Sequence, residues 1–286
     1  MVKYTAQTEW IERKGILMWL AEVGSGFGAG LYLVSLFFNN LIGMLVGWLI
    51  IIILKGGFHL AYLGKPLRFW RMMLKPGTSW MSRGFIFMGF FMVFAAIQMA
   101  LTFWMPGTGL EGTFKVLTGI SAFLLAIYTG FVMNYCPGIP FWNSALLPVL
   151  LVLSGGLDGA GLIIIIGLAG GNVDLHAAET VSRILLISTA MIVAIYFWSA
   201  SYTGPAGKEA VRRLVRGNIA GVMWVGVAVF GIIIPVIISI TALFAGEASI
   251  ALLLFGIACE TVGAFSLKYA ILKAGVYNPL ITANVY

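Results

Sequence analysis

The chain has 286 residues and a net charge of +7, yet only 9% of its side chains are charged and 61% are hydrophobic. A water-soluble domain of this size needs far more polar surface to cover itself. The cations also hug the ends of apolar runs, which excludes a basic surface built for nucleic acid.

Eight apolar runs lie near 15–38, 41–63, 84–104, 114–134, 143–169, 180–201, 219–245 and 249–272. Each matches the roughly 20 helical residues that cross a hydrocarbon layer about 30 Å thick. Helices are the form that satisfies the backbone there. The expected fold is therefore an all-α membrane protein with eight transmembrane helices and no separate soluble domain.

The first run follows a polar start that carries Lys3, Arg13 and Lys14. It has no short apolar core followed by a small-residue cleavage site, so it reads as a retained helix. Its small residues Gly24, Ser25, Gly26, Gly28, Ala29 and Gly30 predict a tight packing surface. Glu22 lies about 12 Å from its inner end. The second run places Lys55 at that same depth, and His59 one turn nearer the inner face on the same side of the helix. Residues 64–83 follow as a basic connection with Lys65, Arg68, Arg71, Lys75 and Arg83, plus Trp70 and Trp80. A short interfacial helix is expected there, bounded by Pro66 and Pro76, with its long side chains and indoles at headgroup level.

Beyond the third run, the outer side carries Glu111 and a lone cation, Lys115. The fourth run brings Tyr128 near its inner end, and a short inner loop with Cys136 and Trp142 follows. The fifth is rich in Gly155, Gly156, Gly159 and Gly161, and holds Asp158. An outer loop with Asp174 and His176 leads to the sixth, which carries Arg183. The basic connection 202–218 holds Lys208, Arg212, Arg213 and Arg216. Glu247 sits in the last outer loop, and the eighth run contains Cys259 and Glu260, with Lys268 and Lys273 at its end.

With an even number of spans, nearly all cations fall on one side, so both termini should face the cytoplasm. The string Gly28-Ala29-Gly30-Leu31 recurs as Gly159-Ala160-Gly161-Leu162, which suggests two parallel four-helix halves, 1–134 and 135–286, within one membrane domain. The two cysteines belong to no metal spacing and fall short of the four thiolates of an iron–sulfur cluster. The two histidines, His59 and His176, lie at opposite ends of the bilayer and cannot clasp one haem. No metal, haem or cluster is expected in this protein.

Ionisable groups at membrane depth need a partner or a purpose. Glu22, Lys55, His59 and Tyr128 cluster by depth on the inner side, on three helices. Two readings stay open: an ion pair that ties helices together, and a polar pocket able to hydrogen-bond a carbonyl-bearing ring and move its protons. Asp158 and Arg183 lie on consecutive helices nearer the outer side and suit pairing. Glu260 suits either a proton route or a protonated, inert role.

The segments Tyr62-Leu63-Gly64-Lys65-Pro66-Leu67-Arg68-Phe69-Trp70 and Pro76-Gly77-Thr78-Ser79-Trp80-Met81-Ser82 resemble a loop of the NrfD/PsrC family, the membrane subunits of polysulfide-reductase-type complexes. Tyr128-Thr129-Gly130, Pro140-Phe141-Trp142-Asn143-Ser144, Leu147-Pro148 and Ser154-Gly155 are similar to a second stretch of that family. The glycine-rich first span is similar too, and together these fragments cover roughly the first 160 residues.

The resemblance implies an eight-helix subunit with no catalytic centre or cofactor of its own in the cytoplasmic membrane of a prokaryote. It implies a bound quinone, taken as menaquinone-type, and two partners: an iron–sulfur ferredoxin-like subunit and a molybdopterin or tungstopterin catalytic subunit. Carried over residue by residue, Tyr128 is the expected quinone hydrogen bond, with Glu22 and His59 as further quinone-binding or proton groups. Where some members place a first-helix histidine, this sequence has Ala21 and Glu22. Arg183 matches a sixth-helix arginine. Lys55, Asp158, Arg183 and Glu260 are expected in charge pairing or proton transfer, and Arg68, Trp70, Arg71, Trp80 and Trp142 at the partner docking surface. A rival reading from the residues alone is a secondary transporter with Asp158 and Glu260 as coupling carboxylates.

Overall fold

A computed structural model describes residues 4–245 and 249–279, so Lys3 and Glu247 lie outside the described residues. In chain order the helices are α1 (Ile16–Phe37), α2 (Leu41–Ile50), α3 (Gly57–Tyr62), α4 (Trp80–Trp104), α5 (Gly109–Asn134), α6 (Leu146–Leu168), α7 (Leu175–Ala200), α8 (Pro205–Arg216), α9 (Ile234–Ala245) and α10 (Ile250–Ala274). A π-helical segment, Ile51–Gly56, joins α2 to α3 in one span, and a longer one, Val222–Ile233, leads into α9. Among the described residues eight helical runs are long and apolar enough to cross a membrane, and there is no strand beyond a single bridge between Ala6 and Val276.

Helix starts are set by small polar caps. Asn40 accepts from the Gly43 amide at 2.7 Å, Ser79 from Ser82 at 3.4 Å, and Ser249 from Leu252 at 3.3 Å. α4, α5 and α7 begin at Trp80, Gly109 and Leu175, a turn or more before the apolar runs expected from 84, 114 and 180. Arg83 and Glu111 fall in the first turns of α4 and α5, and His176 and Glu179 open α7, so these starts escape a hydropathy reading. The basic connection 202–218 contains a full helix, α8, opened by Pro205, whose missing N–H costs nothing in a first turn.

The protein forms two compact units. One comprises Leu20–Val132 and Pro148–Thr189. In it the glycines of α1 and α6 meet: a Cβ on Gly30 would fall 1.7 Å from the Gly155 carbonyl oxygen, and one on Gly159 2.2 Å from the Gly30 carbonyl carbon. Only hydrogen fits there, so the two echoed strings face each other as close backbone contacts. Its apolar centre gathers Tyr32, Met44, Ile51, Phe91 and Leu125, with Tyr32 edge-on to Phe91 at 4.9 Å.

The other unit comprises Met1–Trp19, Met133–Leu147 and Ala190–Tyr286. Buried polar tips are spent on backbone carbonyls: Tyr196 donates to Phe141 at 2.6 Å and Trp142 to Ile271 at 2.9 Å. The N-terminal segment is stitched to the segment after α10, since Gln7 N–H donates to Gly275 at 2.8 Å and Tyr277 N–H to Thr5 at 2.9 Å.

Candidate functional site

The polar cluster expected from depth forms within the unit of Leu20–Val132 and Pro148–Thr189. Its centre is Lys55, 1% exposed, in the π segment. Such segments widen one turn of a helix, and they recur at functional sites. Gly24 lets α1 come close enough to reach it, since a Cβ there would lie 2.5 Å from that of Leu54. Glu22, just before it on α1, then meets Lys55 Nζ at 3.2 Å, and Thr129 Oγ1 on α5 accepts from the same ammonium at 3.2 Å.

Tyr128 completes the cluster from the residue beside Thr129. Lys55 Nζ lies 4.9 Å from the centre of its ring, and the ring lies against Gly84 of α4. A Cβ at Gly84 would fall 2.1 Å from the ring carbons, so this glycine makes the seat in which Tyr128 rests. Gly130, two residues on, packs against Pro148, where a Cβ would lie 2.3 Å from the proline Cα. The fragments Tyr128-Thr129-Gly130 and Leu147-Pro148 thus fix where α5 sits against α6, and with it the tyrosine.

His59 Nδ1 lies 2.9 Å from the Lys55 carbonyl oxygen. A carbonyl only accepts, so Nδ1 carries the hydrogen, and in the neutral form of the ring the lone pair is then on Nε2. The cluster therefore offers an ammonium with its paired carboxylate, a phenol ring and an imidazole, each in contact with Lys55. That donor and acceptor set fits a group with carbonyl oxygens that exchange with hydroxyls, such as a quinone. One further polar atom is unused: the Ser25 hydroxyl, one turn past Glu22 on α1, is buried without a hydrogen-bond partner.

A family model described as polysulphide reductase, NrfD matches residues 26–279. The protein belongs to the NrfD family. It is 28% identical to Protein NrfD of Escherichia coli over 248 residues, which cover 76% of each sequence. It is 24% identical over 245 residues to the Protein NrfD homolog of Haemophilus influenzae, covering 76% of this sequence and 75% of that one. A polysulfide reductase chain of Wolinella succinogenes is 27% identical over 170 residues, or 56% of this sequence and 53% of its own.

The NrfD-like motif residues fall into three situations. Arg68, Trp70 and Arg71 stand exposed on a 3-10 helix, Pro66–Leu74, so a short helix does form between Pro66 and Pro76. Trp80 is part-buried, stacked on Phe131 at 4.6 Å and covered by Arg83, whose guanidinium also holds the Pro76 and Gly77 carbonyls. Trp142, expected at a docking surface, is 1% exposed. Its indole packs against Trp10 and under Gly275, so it braces the loop and offers no face to a partner.

Of the other groups expected in charge pairing, Arg183 finds a carboxylate on its own helix, donating to Glu179 at 3.0 Å. Asp158 is buried in α6, and Glu260 is part-buried in α10. Lys268, which reads in the sequence as a flanking charge, is 2% exposed inside α10. Among the described residues no group of three or more histidine, cysteine, aspartate or glutamate side chains is placed to hold a metal.

A second polar line escapes a reading of the sequence. Tyr32 donates to Gln98 at 2.6 Å, Gln98 to Thr102 at 2.7 Å, and Thr102 to Glu111 at 2.8 Å. Glu111 also accepts from the Gly107 amide at 2.7 Å and pairs with Lys115 at 2.8 Å. Every member is satisfied, so the line anchors α4 to the turn before α5 and to α1.

Proposed function

We propose that this protein is the quinone-reactive membrane subunit of a molybdopterin and iron–sulfur oxidoreductase complex. It exchanges electrons between the quinone pool of the cytoplasmic membrane and an iron–sulfur partner. The observation that carries this reading is the buried Lys55 with Glu22 at 3.2 Å, Thr129 at 3.2 Å and the Tyr128 ring at 4.9 Å, with His59 Nδ1 2.9 Å from the Lys55 carbonyl oxygen. Membership in a family whose relatives include a polysulfide reductase chain supports a subunit role.

A bound quinone of the menaquinone type supplies two-electron, two-proton chemistry between carbonyl and hydroxyl forms. The protein's own residues do the rest. The Tyr128 phenol donates a hydrogen bond to one ring oxygen, held in place by its seat on Gly84. Lys55 stays cationic because Glu22 neutralises it, and it stabilises negative charge on that oxygen as electrons arrive. His59 Nε2 would take one of the two ring-hydroxyl protons on oxidation and return it on reduction, the second proton exchanging with water. Electrons pass to the partner docked on the basic, cytoplasmic side.

The test is Tyr128→Phe in the intact complex. Losing one hydrogen bond to a developing charge should lower quinol-linked turnover by about 10²-fold, with the partner subunits still co-purifying. Turnover equal to wild type in a correctly assembled complex overturns the assignment. A protein that purifies alone, without iron–sulfur absorbance, instead favours the transporter reading.

A further inference from the structure

We infer that the 3-10 helix Pro66–Leu74 and its two flanking lysines form a binding site for the phosphate of an anionic phospholipid headgroup. In a 3-10 helix residues three apart eclipse one another, so the segment presents three ridges. Pro66, Phe69 and Met72 form the first, and Phe69 faces Phe85 of α4 at 5.7 Å. Leu67, Trp70 and Met73 form the second, at 91%, 50% and 39% exposure. Arg68 and Arg71 share the third, about 6 Å apart along the axis at 2.0 Å rise per residue, with Lys65 and Lys75 at its two ends.

Charge selects the occupant. From Tyr62 to Arg83 there are five cations and no Asp or Glu. No carboxylate among the described residues pairs with Lys65, Arg68, Arg71 or Lys75. In α8, by contrast, Glu209 binds both Arg212 and Arg213. The guanidinium of Arg71 only rests beside Trp70, 5.6 Å from its ring centre. Two uncompensated guanidiniums at this spacing bracket one phosphate, and each retains its planar fork of donors.

Position selects a lipid over a protein. The segment is tethered closely at both ends, starting four residues after α3 ends at Tyr62 and stopping six before α4 begins at Trp80. Such tethers hold it at headgroup depth, the layer between the hydrocarbon core and water. There the Leu67–Trp70–Met73 ridge enters the acyl chains while the arginines reach outward to phosphate. Exposed leucine, tryptophan and methionine beside unpaired arginine suit that boundary, and the indole suits it best. Arg68, Trp70 and Arg71 are thereby assigned to lipid rather than to the docking of a partner subunit.

The experiment uses the whole complex in detergent, titrated with phosphatidylglycerol or with phosphatidylcholine and read by native mass spectrometry. Wild type should retain phosphatidylglycerol selectively, and R68Q/R71Q should bind it roughly thirtyfold more weakly, as expected for two charges near an anionic surface. Equal binding of the two lipids by wild type, or unchanged phosphatidylglycerol binding in the variant, overturns the proposal. So does a variant that keeps its lipid and loses its iron–sulfur partner, which would make the ridge a protein interface. If the variant does not assemble, a diazirine-bearing phosphatidylglycerol photolysed on wild type decides: crosslinks within 65–75 support the site, and their absence there overturns it.

Discussion

The ring of Tyr128 lies flat against the bare α-carbon of Gly84, so close that a single methyl would fall 2.1 Å from two ring carbons. Because Tyr128 is buried and itself belongs to the packed centre of its unit, the ring has little room to retreat. Gly84→Ala should therefore displace the phenol without removing it. Overpacking of this kind costs about 1–3 kcal/mol, and a displaced hydrogen bond should lower quinol turnover about tenfold or more. Steady-state turnover of the assembled complex, alongside its thermal midpoint, checks both effects. Wild-type turnover with unchanged stability would show that the ring does not need this seat.

The Glu22–Lys55 pair yields a thermodynamic cycle. Breaking a buried pair from one side leaves a charge without compensation, at a cost of about 3–5 kcal/mol, whereas removing both charges is close to neutral. Glu22→Gln and Lys55→Met should each lower the thermal midpoint strongly. The double variant should recover most of it while remaining defective in quinol turnover. A double variant as active as wild type would reduce the pair to a helix tie.

Much of this architecture is legible in the amino-acid order, and the reasons are physical. Eight spans follow from composition, because a bilayer tolerates only long apolar helices. Helix rise alone puts Glu22 and Lys55 at one depth, and they meet at 3.2 Å. Neutral polar residues are the blind spot. Thr129, Gln98 and Thr102 carry no charge to flag them, yet they complete the Lys55 cluster and the line from Tyr32 to Glu111. The π segment under Lys55 is equally silent, since its apolar residues read like any α-helical run. Trp142 is misread as a surface residue because its partner, the Ile271 carbonyl, lies 129 residues later.

The α1–α6 contact gives a stability test with no bearing on chemistry. At Gly30 the obstacle to a side chain is the Gly155 carbonyl, which is backbone and cannot rotate aside. Gly30→Val should prevent a stable helical bundle while still permitting membrane insertion. Protease sensitivity of the inserted protein, compared with wild type, measures this.

The helix α8 lies outside the spans and carries the clearest pH dependence. Hydrogen bonds from Arg212 hold the Glu209 carboxyl below its ordinary range, with Arg213 adding to the effect. A depressed carboxylate pKa contributes stability that is fully present above the unfolded value, about 4.3, and is lost as pH falls through the lower folded value. Amide protection in α8, the intrinsic exchange rate at each pH divided by the observed rate, should be flat from neutral pH down to the ordinary carboxylate range and fall only below it. Glu209→Gln should remove that acid transition, and an α8 whose protection is equally pH-dependent in the variant would refute the assignment.

The pairing of Thr5 and Gln7 with Tyr277 and Gly275 closes the polypeptide into a loop held by N–H to carbonyl hydrogen bonds rather than by covalent bonds. Segments more than 260 residues apart in the sequence therefore open or close together. Whatever loosens Thr5 and Gln7 also releases Gly275 and Tyr277. A bulky fusion at either end acts on the shared clasp, not on one terminus alone.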